Sequence, residues 1–503
     1  MKTCVVRRRF YATEADNRVV AVELEPNFGT PKAAIIIYTE NNAATDSFDT
    51  TLEYKNFGVG FTDGTNKNLV NFIMRDNQGA SDTRVSHSNT RFISCSSTDA
   101  VTTFYRVDTV TFAADKINLT FANSTPQTNG HLEALLWVIS GDDVSAAVGF
   151  STYNTTAGAS RVYSGLAFAP DLVFISGAYN TANQSVANSD ARISLGVAKR
   201  TTGQQCNTAF WNQDAQDPFV LATRIANNSI NAYITGAAAV VSATIGSFSA
   251  NGWTMTNVGT FAANTVYNFL AIKSADPDND FALLTDFDTF TGTGRTFVGL
   301  GITGFPPNTL IGSLSYASTR NAIQTTANTG AASLNFFAGT ATSYSKLYNG
   351  TGTITYSTAN ATVTGTGSSF FQFYPGVKLY TLDGGEIGTV SSVTDATSLT
   401  LAANSLITGT GQSFTHSNFR QNSISITEDD GDNSTTKSNT LMSSSMFTIP
   451  TNNAVEFQAY LDTPNTSNGF FYNVTNADAT SRVGWVLASS DRTNLGRRRG
   501  RAS

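Results

Sequence analysis

Three stretches of this 503-residue chain begin alike, and a repeat constrains a fold strongly because it sets the size of the folding unit. Phe28-Gly-Thr-Pro31-Lys-Ala-Ala-Ile-Ile-Ile-Tyr38, Phe168-Ala-Pro170-Asp-Leu-Val-Phe-Ile175 and Phe305-Pro-Pro307-Asn-Thr-Leu-Ile-Gly-Ser-Leu314 each run from Phe through Pro into an apolar strand. Pro suits a strand's entry, where its missing N–H breaks no ladder bond. Three stretches also end alike. His131–Asp142, Val266–Asp276 and Arg482–Asp491 are apolar strands that stop at polar, Asp-bearing residues. Ahead of the second and third of these lies a turn signal, Asn251-Gly252-Trp253 and Asn468-Gly469-Phe470. In the first copy Asp115-Lys116-Ile117 takes that place without the glycine.

Spacing separates the repeat from an intrusion. The entry prolines lie 139 and 137 residues apart, whereas the closing strands lie about 133 and then about 215 residues apart. The surplus of about 80 residues falls in the third copy and matches 346–419, a stretch of Gly, Thr, Ser and short apolar runs. Five strands are expected there, at Thr353–Tyr356, Ala361–Thr364, Val377–Thr381, Ile387–Val393 and Ser398–Leu401, with turns at Gly365–Gly367 and Gly384-Gly385. An insertion of this kind is best tolerated in a loop, and one so small has to lean on its host or on neighbouring subunits.

The fold class that follows is all-β: three tandem β-sandwich or jelly-roll-like domains with a small β domain inserted in the third. The expected boundaries are 1–143, 144–276, 277–345 plus 420–491, the insert at 346–419, and a basic C-terminal tail at 492–503. No stretch sustains the 3.6-residue apolar stripe of an amphipathic helix.

Charge and motif content narrow the function. With 31 Lys and Arg against 37 Asp and Glu the net charge is −6, which argues against nucleic acid as a partner. The basic exception is the tail, Arg497, Arg498, Arg499 and Arg501, read as a solvated end or as a segment that docks on an acidic partner or on nucleic acid. Arg7-Arg8-Arg9 is not followed by an apolar run, so a signal peptide is not expected, and no run reaches the about 18 apolar residues that span a bilayer. Cys4, Cys95 and Cys206 read as free thiols, and His87, His131 and His416 lack metal-ligand spacing. No nucleophile elbow or phosphate loop is present, and Gly299-Leu-Gly301-Ile-Thr-Gly304 enters a β repeat instead of opening a helix. The acidic runs Asp276–Asp280 and Glu428–Asn433 offer oxygen ligands without EF-hand spacing, and paired carboxylates such as Asp286 and Asp288 could in principle serve glycosidase chemistry, though two acids in a loop are common in any protein. The reading is therefore not an enzyme, with no cofactor and no metal. Phe370, Phe371, Phe373 and Tyr374 in the insert are the candidate contacts to a partner or host surface.

The insert, with "GTGTITYSTANATVTGTGSSF", "PGVKLYTLDGGEIGTVSSV" and "TDATSLTLA", resembles small β modules found repeatedly in tail, neck and fibre proteins of tailed bacteriophages. The tandem units, with their Phe-x-Pro entry and Asn-Gly-aromatic corner, are similar to lectin-like sandwich domains of phage virion proteins. The resemblance implies a virion structural protein made in the host cytoplasm and carries no catalytic residues. It implies other virion proteins as partners and a homo-oligomer, with a trimer as the first expectation. Within the particle a tail, neck or fibre appendage is favoured over a capsid decoration protein. A carbohydrate-binding adhesin directed at a host surface glycan and a polysaccharide depolymerase are the remaining alternatives.

Overall fold

Ten strands recur in the same order three times. The computed structural model describes residues 1–11, 18–41, 52, 54–75, 82–97, 102–122, 125–127, 130–179, 186–187, 190–212, 221–236, 239–262, 265–289, 291–301, 307–315, 319–325, 330–338, 347–368, 370, 373, 377–395, 397–417, 421–428, 437–442, 447–451, 454–466, 469–476 and 481–490. In the first set the inner sheet runs Lys2–Tyr11, His131–Ser140, Pro31–Asn41, Tyr54–Thr62, Lys67–Arg75, Asp82–Ser88, all antiparallel. Its outer sheet runs Val19–Glu23, Lys116–Phe121, Thr103–Ala113, Ile93–Ser96. By chain position within the set, the inner order is 1-10-3-4-5-6 and the outer order 2-9-8-7.

The second set repeats both orders between Val144–Thr152 and Val266–Ser274, and the third between Phe281–Asp288 and Val483–Ser489. The all-β class is as expected, apart from one four-residue helix among the described residues, at Pro277–Asp280. Each stretch singled out as an entry or a close forms a strand, and these two strands pair with each other in every set.

The sequence pattern explains which sheet goes where. Inner strands are buried on both faces and read as unbroken apolar runs, such as Ala33–Tyr38 and Ala134–Ile139, every residue of which is buried. Outer strands are buried on one face and alternate, as in Lys116–Phe121 and Gly469–Asn476. One face of each inner sheet closes its own sandwich: Ile36, Tyr38, Leu119 and Phe121 in the first set, Val173, Trp253 and Phe269 in the second, Leu310, Phe470 and Val486 in the third. The other faces meet in one cluster shared by all three sets, including Ile35, Phe57 and Trp137, then Phe174, Phe210 and Leu270, then Ile311, Trp485 and Leu487. The sets are therefore not beads on a string.

The Asn-Gly corner has a steric cause. A Cβ on Gly252 would stand 1.8 Å from the Tyr163 carbonyl oxygen, and one on Gly469 2.1 Å from that of Val298, so the outer edge strand can pair there only against glycine. The first set solves the turn differently. Asp115 takes a left-handed φ of 59°, and its carboxylate accepts from the N–H groups of Asn27 and Gly29.

The insert forms eight strands in the order Leu347–Asn349, Phe414–Ser417, Lys378–Thr381, Glu386–Asp395, Ser398–Leu401, Thr362–Thr366, Thr353–Tyr356, Gly409–Gln412, curled into a half-barrel. It contains the five expected strands and three more. Its core is its own, built from Ile354, Val363, Phe370, Phe373, Leu379, Ile387, Leu399 and Phe414 among others.

Candidate functional site

The chemistry available at this surface is best read from how the three sets join, because the joins repeat in a ring. The Trp137 indole of the first set donates to Thr309 Oγ1 of the third at 2.9 Å, and the Trp485 indole of the third donates to Thr208 Oγ1 of the second at 2.9 Å. Asn268 of the second closes the circuit, donating to the Leu69 carbonyl of the first at 3.0 Å while its Oδ1 accepts from His87 Nε2 at 2.5 Å. All three donors lie on closing strands. Strand addition runs the same way: Val186–Ala187 of the second set pairs with the edge strand Asp82–Ser88 of the first, and Gln324–Thr325 of the third with the edge strand Leu221–Ala226 of the second. The corresponding segment of the first set, 42–53, lies almost wholly outside the described residues.

A second contact repeats in the opposite sense, from the turn between the fourth and fifth strands. In the first set this turn accepts from the Val148 N–H through Asp63 Oδ2 at 3.0 Å, on the opening strand of the second set. In the second set Lys199, just ahead of the turn, donates to the Phe281 carbonyl at 2.7 Å, on the opening strand of the third. The third set has the insert at this turn, between Gly330–Ala338 and Gln421–Glu428. The insert in its place reaches the first set, where Thr351 Oγ1 donates to Glu23 Oε1 at 3.4 Å. His416 of the insert is buried, and its pKa is pushed down to about 4 by that burial and by nearby Arg8, against the opposing pull of the Ser417 carbonyl.

The opening strand carries the arginine triplet, and all three are buried. Alternation sends Arg7 and Arg9 to the shared side, where both meet Glu133, and Arg8 to the other, 5.2 Å over the Phe10 ring. His131 Nε2 lies 3.3 Å from Glu133 Oε1. Burial raises the Glu133 pKa, but Arg7 and then Arg9 override it and hold the carboxyl well below the usual range. It stays ionised and cannot serve as a general acid. Burial lowers the His131 pKa despite Glu133, so the imidazole is neutral near pH 7. In the sequence the triplet stands out only as a failed signal-peptide start; a lone Glu133 in an otherwise apolar closing strand is the signal that could have found its partners.

The other sequence candidates fall as follows. Phe370 and Phe373 are both buried in the insert's core, with ring centroids 5.8 Å apart, so neither offers a surface to a partner. Phe371 and Tyr374 lie outside the described residues, as do Arg497, Arg498, Arg499 and Arg501. Asp286 and Asp288 flank Arg320, which lies 3.5 Å and 2.6 Å from them, and Asn227 donates to Asp286 at 2.6 Å. These ion pairs lie within the third set, and the Asn227 hydrogen bond ties them to the second. The Asn279 side-chain amide donates to the Asp276 carboxylate at 3.0 Å, and buried Asp280 accepts from Ser274. The run after Glu428 lies outside the described residues. Among the described residues no group of three or more His, Cys, Asp or Glu could hold a metal ion. Cys4, Cys95 and Cys206 are buried and form no disulfide, and no helix among the described residues is long and apolar enough to cross a membrane.

No protein-family model matches the chain, and no curated protein matches it.

Proposed function

We propose that this chain is a structural subunit of a bacteriophage particle, most simply a tail, neck or fibre appendage, that acts by assembly. The observation that carries the reading is the ring: three alike ten-stranded sets share one apolar cluster and join by strand addition and repeated closing-strand contacts. Heterologous contacts that close on themselves are how particles build rings from separate subunits, and here one chain supplies all three positions. The sequence of the insert, similar to phage appendage modules, adds independent support. Because the inner faces are consumed within the chain, further copies and other virion proteins would meet the outer sheets, their open edges and the insert. A homo-trimer remains the first expectation for self-association, and light scattering of the purified chain tests it.

Immunogold electron microscopy of intact particles tests the assignment. Label at the tail or its fibres is the expected result. Label spread over the head would replace the appendage by a capsid decoration protein, and absence of label from every particle would overturn the virion reading.

A further inference from the structure

The outer sheets of the three sets are equivalent in strand order but not in surface chemistry. On the edge strand and its neighbour, the first set presents Ala21 and Asn118, the second Val162 and Thr254, and the third Phe297 and Phe471, each pair facing across the same register position. The third pair is a platform. The rings lie 5.0 Å apart, Phe297 is 43 % exposed, and the Arg295 guanidinium sits 3.9 Å over the Phe471 ring. Gly469 shapes it, because a Cβ there would stand 2.8 Å from the Phe297 ring.

The platform adjoins a cavity. A space of about 490 Å³ lies between the turn of the second set, with Thr202 and Gln204, and the third set's Leu284 and Gly299–Gly301. Gly299 belongs to both, since a Cβ on it would stand 3.7 Å from the Phe297 ring. The size falls in the range of ligand sites, roughly 300–1,000 Å³. Lys199 also lines the cavity and lies 3.5 Å from Asp278.

We infer that the Phe297–Phe471 platform and the adjoining cavity form a binding site for an acidic oligosaccharide. A pyranose ring has a flat C–H face that stacks on an aromatic ring and a rim of hydroxyls that needs partners at its edge. The exposed Phe297 ring, braced by Phe471 beneath the Arg295 guanidinium, supplies the first, and the Thr202 hydroxyl, the Gln204 amide and the Gly299–Gly301 backbone supply the second. The exposed, ring-stacked guanidinium of Arg295 at the platform sets the charge of the sugar it receives, a carboxylate bound by forked N–H donors. In the equivalent places the first two sets carry Val19 and Ser160, so this chemistry belongs to the third set alone.

The test is an array of uronate-bearing, sialate-bearing and neutral oligosaccharides probed with the full chain, followed by calorimetric titration of the best ligand. Binding of an acidic oligosaccharide is expected, weakened at least tenfold by Phe297→Ala and unchanged by Val162→Ala at the equivalent position of the second set. Arg295→Gln should erase the preference over the neutral analogue. Saturation-transfer NMR on the unsubstituted chain, irradiating aromatic protons, should mark the sugar's C–H face and needs no variant to fold. No binding above background, binding indifferent to Phe297→Ala, or preference for neutral sugars would overturn the inference. So would a peptide array showing instead that extended peptides bind and that Thr296→Pro, on the open edge strand, abolishes their binding. Neither result bears on where the protein sits in a particle.

Discussion

The three sandwich sets and the insert are built of the same material, short antiparallel strands closed by Gly, Asn and Thr turns, yet they hold together differently. The sets bury two faces of every inner sheet, one within the sandwich and one against the other two sets. The insert buries a single face of one curled sheet around a core it shares with no set. Stability in the first case is collective, because no set can leave without exposing apolar surface on the two that stay, at about 25 cal/mol for each Å². In the second it is local. A fourth element can therefore be added at one turn of a closed ring without entering the common core.

Substitutions at the common core should show the largest effect. Trp485→Ala removes a fully buried indole and its bond to Thr208, and should cost about 3–5 kcal/mol. Denaturant unfolding followed by hydrogen exchange should show the loss in all three sets and not in the insert; a loss confined to the third set would break the comparison. Glu133→Ala should cost about as much, roughly 3–5 kcal/mol, because it strips Arg7 and Arg9 of their shared carboxylate in a buried place. Chemical denaturation of Glu133→Ala against Glu133→Gln checks this, and both variants should be less stable than the parent at neutral pH.

The insert has its own handle in His416. Its folded pKa of about 4 lies below the ordinary value of 6.5, so the unfolded state binds more protons between those values. Its contribution is full above pH 6.5 and is lost as the pH falls toward 4, in all about 3 kcal/mol. The insert's melting should fall across that window, and His416→Phe, keeping the ring against Phe373, should flatten the dependence. His87 and His131 are also pushed down by burial, so the ring loses stability in the same direction, and probes must be placed in the insert to separate the two. The smallest effect belongs to the seat between the two regions. A double-mutant cycle of Thr351→Val with Glu23→Ala should give a coupling of about 0.5–1 kcal/mol, the worth of one partly buried hydrogen bond.

Much of this organisation can be read in the chain itself. The entry prolines, the closing strands and the Asn-Gly corners mark strands and their pairing, because steric demands such as the approach of Tyr163 to Gly252 leave a residue-level trace. The insert shows as a break in spacing. What leaves no local trace is the relation between sets. Strand additions two residues long, Val186–Ala187 and Gln324–Thr325, have no pattern to find. The side taken by Phe370 and Phe373, between strands and outside any period, is decided by packing, and both went inward. Arg7 and Arg9 look like surface residues until Glu133 is seen 126 and 124 positions away. The Phe297–Phe471 platform is likewise a cross-strand pair between residues far apart in sequence.

Scanning calorimetry of the full chain beside a chain with 346–419 replaced by a short Gly-Ser linker tests the central claim most directly. Loop length costs little free energy, so the account predicts one large cooperative transition for the three sets, unchanged within about 1 kcal/mol, and one small transition that disappears with the insert. Separate transitions for individual sets, or collapse of the large transition on deletion, would contradict it.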